Sequence, residues 1–117
     1  MKRAEILELL DGRVICGEAL PDTDIHCACG SDMMSDVLAF TKHDAILLTG
    51  LVNNHVLRTA EMLDIQNIMF VRGKVPAEDI VEMAGEMDMV LMTTELPMFT
   101  ACGILYTNGI QGGMRSE

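Results

Sequence analysis

The sequence predicts an α/β domain built on a largely parallel sheet, and three observations carry that prediction. Short uninterrupted apolar runs recur at residues 45–48, 68–71 and 89–92. A segment of helical period follows each run. Each run also ends in small or polar residues, Thr49-Gly50, Arg72-Gly73 and Thr93-Thr94. Such alternation is the pattern of βα units, and a strand that is apolar at every position is one covered by helices on both faces.

The helical segments are justified by their spacing. Val56, Ala60 and Leu63 share one face of the first, Ile80, Ala84 and Met87 of the second, and Met98, Cys102 and Leu105 of the third. Their outer faces are expected to be polar. Asn53 and Asn54 suit the cap of the first, Pro76 and Pro97 suit helix starts, and Glu78 and Asp79 complement the positive end of the second. The first third is less regular. It predicts a helix over 4–10, a turn at Asp11-Gly12, a strand over 13–16, a loop at Pro21-Asp22 and a strand over 24–28. A further helix enters through Gly30-Ser31-Asp32 and runs through Phe40, with Ser31 or Asp32 as its cap and Met34, Val37 and Leu38 facing inward. Residues 109–117 carry three glycines and no pattern, so a mobile tail is expected.

A chain of 117 residues suits one domain spanning 1–117. Half of it is apolar, with only Phe40, Phe70, Phe99 and Tyr106 aromatic, so the core is expected to be aliphatic and filled by some of the eleven methionines. The net charge of −10 repels a phosphate backbone, which removes nucleic acid as a partner. No apolar run approaches the ~20 residues of a membrane-spanning helix, and Glu5, Glu8 and Asp11 interrupt the stretch after Lys2 and Arg3 that faintly resembles a leader. A cytoplasmic protein without membrane contact is the expectation. Cys16, Cys27, Cys29 and Cys102 are then expected to be free thiols.

In open parallel sheets, ligands bind beyond the carboxyl ends of the strands, beside helix N-termini that attract anions. Thr49, Gly50, Asn53, Arg72, Gly73, Thr93 and Thr94 all fall at such turns, and Gly30 and Ser31 join them. Two readings are open. Glycine, threonine and asparagine shape turns and caps in any α/β domain. Arg72, a guanidinium beside a glycine at a helix entrance, also suits a phosphate or carboxylate ligand. Arg58 lies on a polar helix face, where Glu61 or Asp64 can pair with it.

No cofactor or metal is expected. His26, Cys27 and Cys29 are the one cluster with ligand chemistry, but strand alternation sends His26 to the face opposite the two cysteines. The chain has no phosphate-binding loop, dinucleotide fingerprint or nucleophile elbow, and Asp32, Asp36 and His43 form no recognisable catalytic set. No catalytic residues are assigned.

Gly30-Ser31-Asp32 with Met34-Ser35-Asp36-Val37, Ile46-Leu47-Leu48-Thr49-Gly50, residues 68–76, and the pair Thr93-Thr94 together resemble the DRTGG domain family. The likeness spans nearly the whole chain, although the string Asp-Arg-Thr-Gly-Gly is itself absent. The resemblance implies a fold similar to the N-terminal domain of HPr kinase, self-association as a homodimer, and a non-catalytic regulatory role. Such domains stand alone, precede phosphotransacetylase domains, or lie between CBS domains in regulated pyrophosphatases. The expected function is therefore a regulatory homodimer that binds a small anionic metabolite or adenine nucleotide at the strand ends. The alternatives are an interaction module that docks on a partner enzyme and, third, a small accessory enzyme.

Overall fold

The apolar runs become the centre of a single sheet. The computed structural model describes residues 1–39 and 44–112, and within them the elements follow in the order α1 (Arg3–Leu9), β1 (Arg13–Cys16), β2 (Cys27–Gly30), α2 (Met34–Val37), β3 (Ala45–Thr49), α3 (Asn54–Met62), β4 (Asn67–Phe70), α4 (Glu78–Glu86), β5 (Val90–Thr93), α5 (Met98–Thr107) and β6 (Gln111–Gly112). The strand order is β1-β5-β4-β3-β2-β6. All neighbours run parallel except β1, which pairs antiparallel with β5 and places Arg13 opposite Thr93.

Alternation along the central strands supplies two cores. Ala45, Leu47, Ile68, Phe70 and Leu91 face α3 and α4 through Val56, Leu57, Ala60, Ile80 and Ala84. Ile46, Leu48, Met69, Val90 and Met92 face α1 and α5 through Ile6, Leu10, Ala101 and Leu105. All residues of β3, β4 and β5 are buried, as a sheet covered on both faces requires.

Several expectations shift. The strand expected over 24–28 is β2, three residues later, because Asp24 makes only an isolated bridge to Lys2. The helix after it is one turn long and begins after Met33, with neither Ser31 nor Asp32 as its cap. Val37 is buried, but Leu38 is exposed; Phe40 and His43 lie outside the described residues. Pro97 is the cap residue of α5, whereas Pro76 lies one residue ahead of the cap of α4. The expected tail instead continues as Ile110, which is buried, and as β6; residues 113–117 lie outside the described residues. Methionine fills less of the core than expected. Met69, Met89 and Met92 are buried, whereas Met33 and Met62 are exposed.

Helix termination follows one rule. After α1, α3 and α4 the chain turns left-handed at Asp11 (φ 50), Asp64 (φ 59) and Asp88 (φ 56), and after α5 at Gly109 (φ 102). The next N–H bonds back across the turn: Gly12 to Leu7, Ile65 to Ala60, Met89 to Ala84 and Ile110 to Leu105, at 2.8 to 3.0 Å. This is the Schellman closure, in which glycine is the usual left-handed residue. Aspartate tolerates the conformation better than most residues, yet its charge sits at the negative end of the helix dipole.

Arg3 locks the first segment to the sheet. It is 5% exposed, and among the described residues its guanidinium meets no carboxylate; it donates to Asn67 Oδ1 and to the carbonyls of Leu20 and Pro21, each at 3.1 Å. Asn67 in turn donates to the Thr23 hydroxyl at 3.3 Å.

Replacing Asp64 or Asp88 by glycine removes an unfavourable charge and a left-handed side chain together. Each substitution is expected to stabilise the fold by about 0.5 to 1 kcal/mol, roughly 2 to 6 °C in Tm, as read by thermal denaturation. Asp64→Val, which cannot take the left-handed turn without strain, should lower Tm instead.

Candidate functional site

The carboxyl edge of the sheet collects the turns that follow β2, β3, β4 and β5, and the antiparallel direction of β1 adds Arg13 to the same edge. The nine residues expected to form a site all lie there, but most of their polar groups already serve the fold. Thr93 donates to the Lys74 carbonyl at 2.8 Å, and Thr94 donates to the Leu10 carbonyl at 2.6 Å while accepting from Leu96 N–H at 3.3 Å. Asn53 caps α3 by accepting from His55 N–H at 3.1 Å. Ser31 closes its own turn by accepting from Met33 N–H at 3.0 Å. Gly30 makes room for packing, since a side chain there would strike Cys102 Sγ on α5.

What remains is a smaller constellation around Arg72. Its guanidinium lies directly over Gly50, where a Cβ would collide with it. Arg72 and Gly73 are consecutive left-handed residues, φ 58 and 69, held because their N–H groups reach the carbonyls of Leu96 at 2.9 Å and Thr94 at 2.8 Å. Left-handed backbone costs an arginine about 1 kcal/mol, and strain of this kind clusters where geometry serves a purpose.

One residue outside the nine completes the group. Asp32 Oδ1 accepts from Gly50 N–H at 2.6 Å and from the Thr49 hydroxyl at 3.2 Å, and its Oδ2 lies 3.6 Å from Arg72 Nη2. Three donors of different kinds, a backbone amide, a hydroxyl and a guanidinium, converge on a single carboxylate. The side chains of Asp32 and Arg72 are each 43% exposed, so solutes reach them. In the sequence, Gly30-Ser31-Asp32 offers Ser31 or Asp32 as a helix cap, whereas the partners of Asp32 lie in the β3 turn. Glu95 closes one side by lying against the Cα of Gly73.

The opposite edge has the opposite character. A cleft of about 370 Å³ is lined there by Asp24, Asp44, Glu61, Asp64 and Asp88, with no lysine or arginine among its described lining residues. Those charges repel an anion.

Cys27 and Cys29 both pack on the core shared with α3 and α4, while His26 is exposed. Among the described residues no three His, Cys, Asp or Glu side chains are grouped as metal ligands, and no helix is long and apolar enough to cross a membrane. None of the four cysteines is joined in a disulfide. Burial raises the Cys16 and Cys102 thiols, and burial with the neighbouring Cys102, Asp36 and Cys27 pushes Cys29 up to about 11.

No family model matches the sequence, and no curated protein matches it. Among solved structures, the chain is similar to the CBS and DRTGG domains of the regulatory region of Clostridium perfringens pyrophosphatase, complexed with its activator diadenosine tetraphosphate. The two are 17% identical with a TM-score of 0.69; the match covers 98% of this chain and 50% of that one. The likeness is one of fold: a mostly parallel sheet flanked by helices, as in that CBS and DRTGG region.

The raised Cys29 thiol gives a pH dependence with a definite sign. The native state holds it neutral up to about pH 11, whereas the unfolded chain ionises from its ordinary value of 9.0, so stability falls as pH rises through that window. Below it, at pH 8, iodoacetamide should modify Cys29 roughly a hundredfold more slowly than an unperturbed cysteine, as followed by peptide mass spectrometry.

Proposed function

We propose that this chain is a non-catalytic regulatory domain, a cytoplasmic homodimer that binds a small phosphate-bearing metabolite of the adenine nucleotide class at the carboxyl edge around Arg72. The observation that carries the reading is the convergence of Gly50 N–H, the Thr49 hydroxyl and the Arg72 guanidinium on one carboxylate, that of Asp32. Such a set of donors is suited to any compact anion, and guanidinium with backbone amide is a common phosphate cradle. Asp32 holds the set in the absence of ligand, and an arriving phosphate takes its place. Arg13 and Lys74, on the same edge, extend the positive side of the shelf beyond Arg72.

The structural likeness supports the regulatory part of this reading, since the similar chain belongs to a regulatory region and was bound to an activating dinucleotide. HPr kinase remains a resemblance of the sequence motifs alone. A docking module for a partner enzyme is the second reading, and the exposed side chains of Phe99 and Tyr106 favour it.

Calorimetry with ATP, diadenosine tetraphosphate and inorganic phosphate tests the proposal. Arg72→Ala should weaken nucleotide binding about ten- to a hundredfold, the value of one charge-assisted hydrogen bond, and Arg58→Ala should leave it unchanged. Asp32→Asn, which removes the competing charge, should tighten it by about fivefold. Equal affinity in wild type and Arg72→Ala, or no binding of any of the three, would overturn the reading in favour of the docking module.

A further inference from the structure

The loop that carries Asp32 leads directly into α2, and α2 is held weakly. It is a single turn of four residues without a side-chain cap, far below the length at which a helix persists by itself. Val37 is buried and Met34 half-buried, whereas Met33 and Leu38, on either side, are exposed. The amides of Asp36, Val37, Leu38 and Ala39 bond to carbonyls within the segment, and the Ser31 hydroxyl closes on Met33. Among the described residues, the side-chain bonds that tie this segment to the rest of the fold are therefore those of Asp32, to Gly50 N–H and the Thr49 hydroxyl, with Arg72 at 3.6 Å.

What α2 covers is the part of the core beside β2. It packs against α3, and Val37 and Met34 belong to the cluster that also holds Cys27, Cys29, Leu51 and Val52. Cys29 is partly buried there, with Asp36 of α2 close enough to act on it: burial, then Cys102 and Asp36, push its thiol up to about 11.

We propose that α2 is a latch: Asp32 fastens it over Cys29, and an anion that takes the Gly50 N–H, the Thr49 hydroxyl and the Arg72 guanidinium unfastens it. This rests on the binding proposed at Arg72 and names the segment that answers it. The physical reason is competition. A carboxylate and a phosphate cannot share the same three donors, and their like charges repel at that distance. With Asp32 displaced, α2 is left with one buried valine and a half-buried methionine against the conformational entropy of fixing its backbone. Such coupling is reciprocal: whatever loosens the latch also favours the anion, so tighter nucleotide binding by Asp32→Asn and release of α2 are two readings of one equilibrium.

The test uses the full chain, with ATP as the probe and calorimetry to register its binding. Two readouts follow the latch: iodoacetamide labelling of Cys29 at pH 8, and amide hydrogen exchange at Asp36, Val37 and Leu38. Without nucleotide, Asp32→Ala should label Cys29 about tenfold faster than wild type or more, because a thiol returning from about 11 toward its ordinary 9.0 gains thiolate in proportion. Exchange in α2 should rise with it, while Cys16 on β1 keeps its wild-type rate. ATP at a concentration that just saturates wild type should produce the same two changes there without any substitution, and far smaller ones in Arg72→Ala. Wild-type labelling of Cys29 in Asp32→Ala would overturn the latch, as would a rise shared equally by Cys16, the mark of general loosening. ATP that binds by calorimetry yet leaves Cys29 and α2 unchanged or slower would overturn the coupling while the binding reading stands. No ATP binding, with Cys29 freed in Asp32→Ala, would overturn the binding reading and the coupling together and leave Asp32 a structural fastening alone.

Discussion

The structure is governed by the coverage of its central strands on both faces. With β3, β4 and β5 wholly buried, no polar side chain on the middle of the sheet can reach water, and every group with chemistry is driven to one rim or the other. The threonines at the strand ends mark that frontier. Thr49, Thr93 and Thr94 are buried, and each resolves its position by bonding to protein: Asp32, the Lys74 carbonyl and the Leu10 carbonyl. The two rims have come to differ in charge. Asp64 and Asp88, which end α3 and α4, lie at the amino rim where the next parallel strand begins, while Arg13, Arg72 and Lys74 stand at the carboxyl rim together with Asp11.

The parts of the fold legible in the sequence were those written as local pattern. Apolar runs located β3, β4 and β5, and the period of α3 and α4 located their buried faces through Val56, Ala60, Ile80 and Ala84. Contacts between distant segments were not legible. Nothing local to residues 13–16 reveals that they run against β5, so Arg13 was not seen as a neighbour of the strand ends. Asp32 read as a helix cap because caps are chosen by nearby sequence, whereas its carboxylate is claimed by Thr49 and Gly50 from the next strand. The helix ends were missed for a different reason: glycine was the expected sign of a left-handed turn, and this chain writes aspartate there three times. The candidate site was legible as a place and not as a set of partners.

Asp32 also bears on how selective such a shelf can be. A rim that brings Asp32 beside Arg72 and Glu95 beside Gly73 is not a simple positive patch. An anion of low charge gains little by displacing a carboxylate from a half-exposed guanidinium, because solvent screens the exchange on both sides. On the proposed reading, a phosphate chain presents more charge and more acceptors to the same donors, so the resident carboxylate would filter weak anions from strong ones.

The position of β1 has a consequence for how the chain reaches this state. The strands from β2 to β5 each pair with the next in sequence, whereas Arg13 meets Thr93 and Arg3 meets Asn67 across most of the chain. Contacts of such wide sequence separation carry the largest loop-closure entropy and are slow to form. During synthesis β1 has no strand to pair with until β5 has emerged, and Val14 waits for Met92, the residue it lies against, until then. The sheet thus assembles from its middle outward, and β1, made before every strand it lies beside, is among the last to find its place.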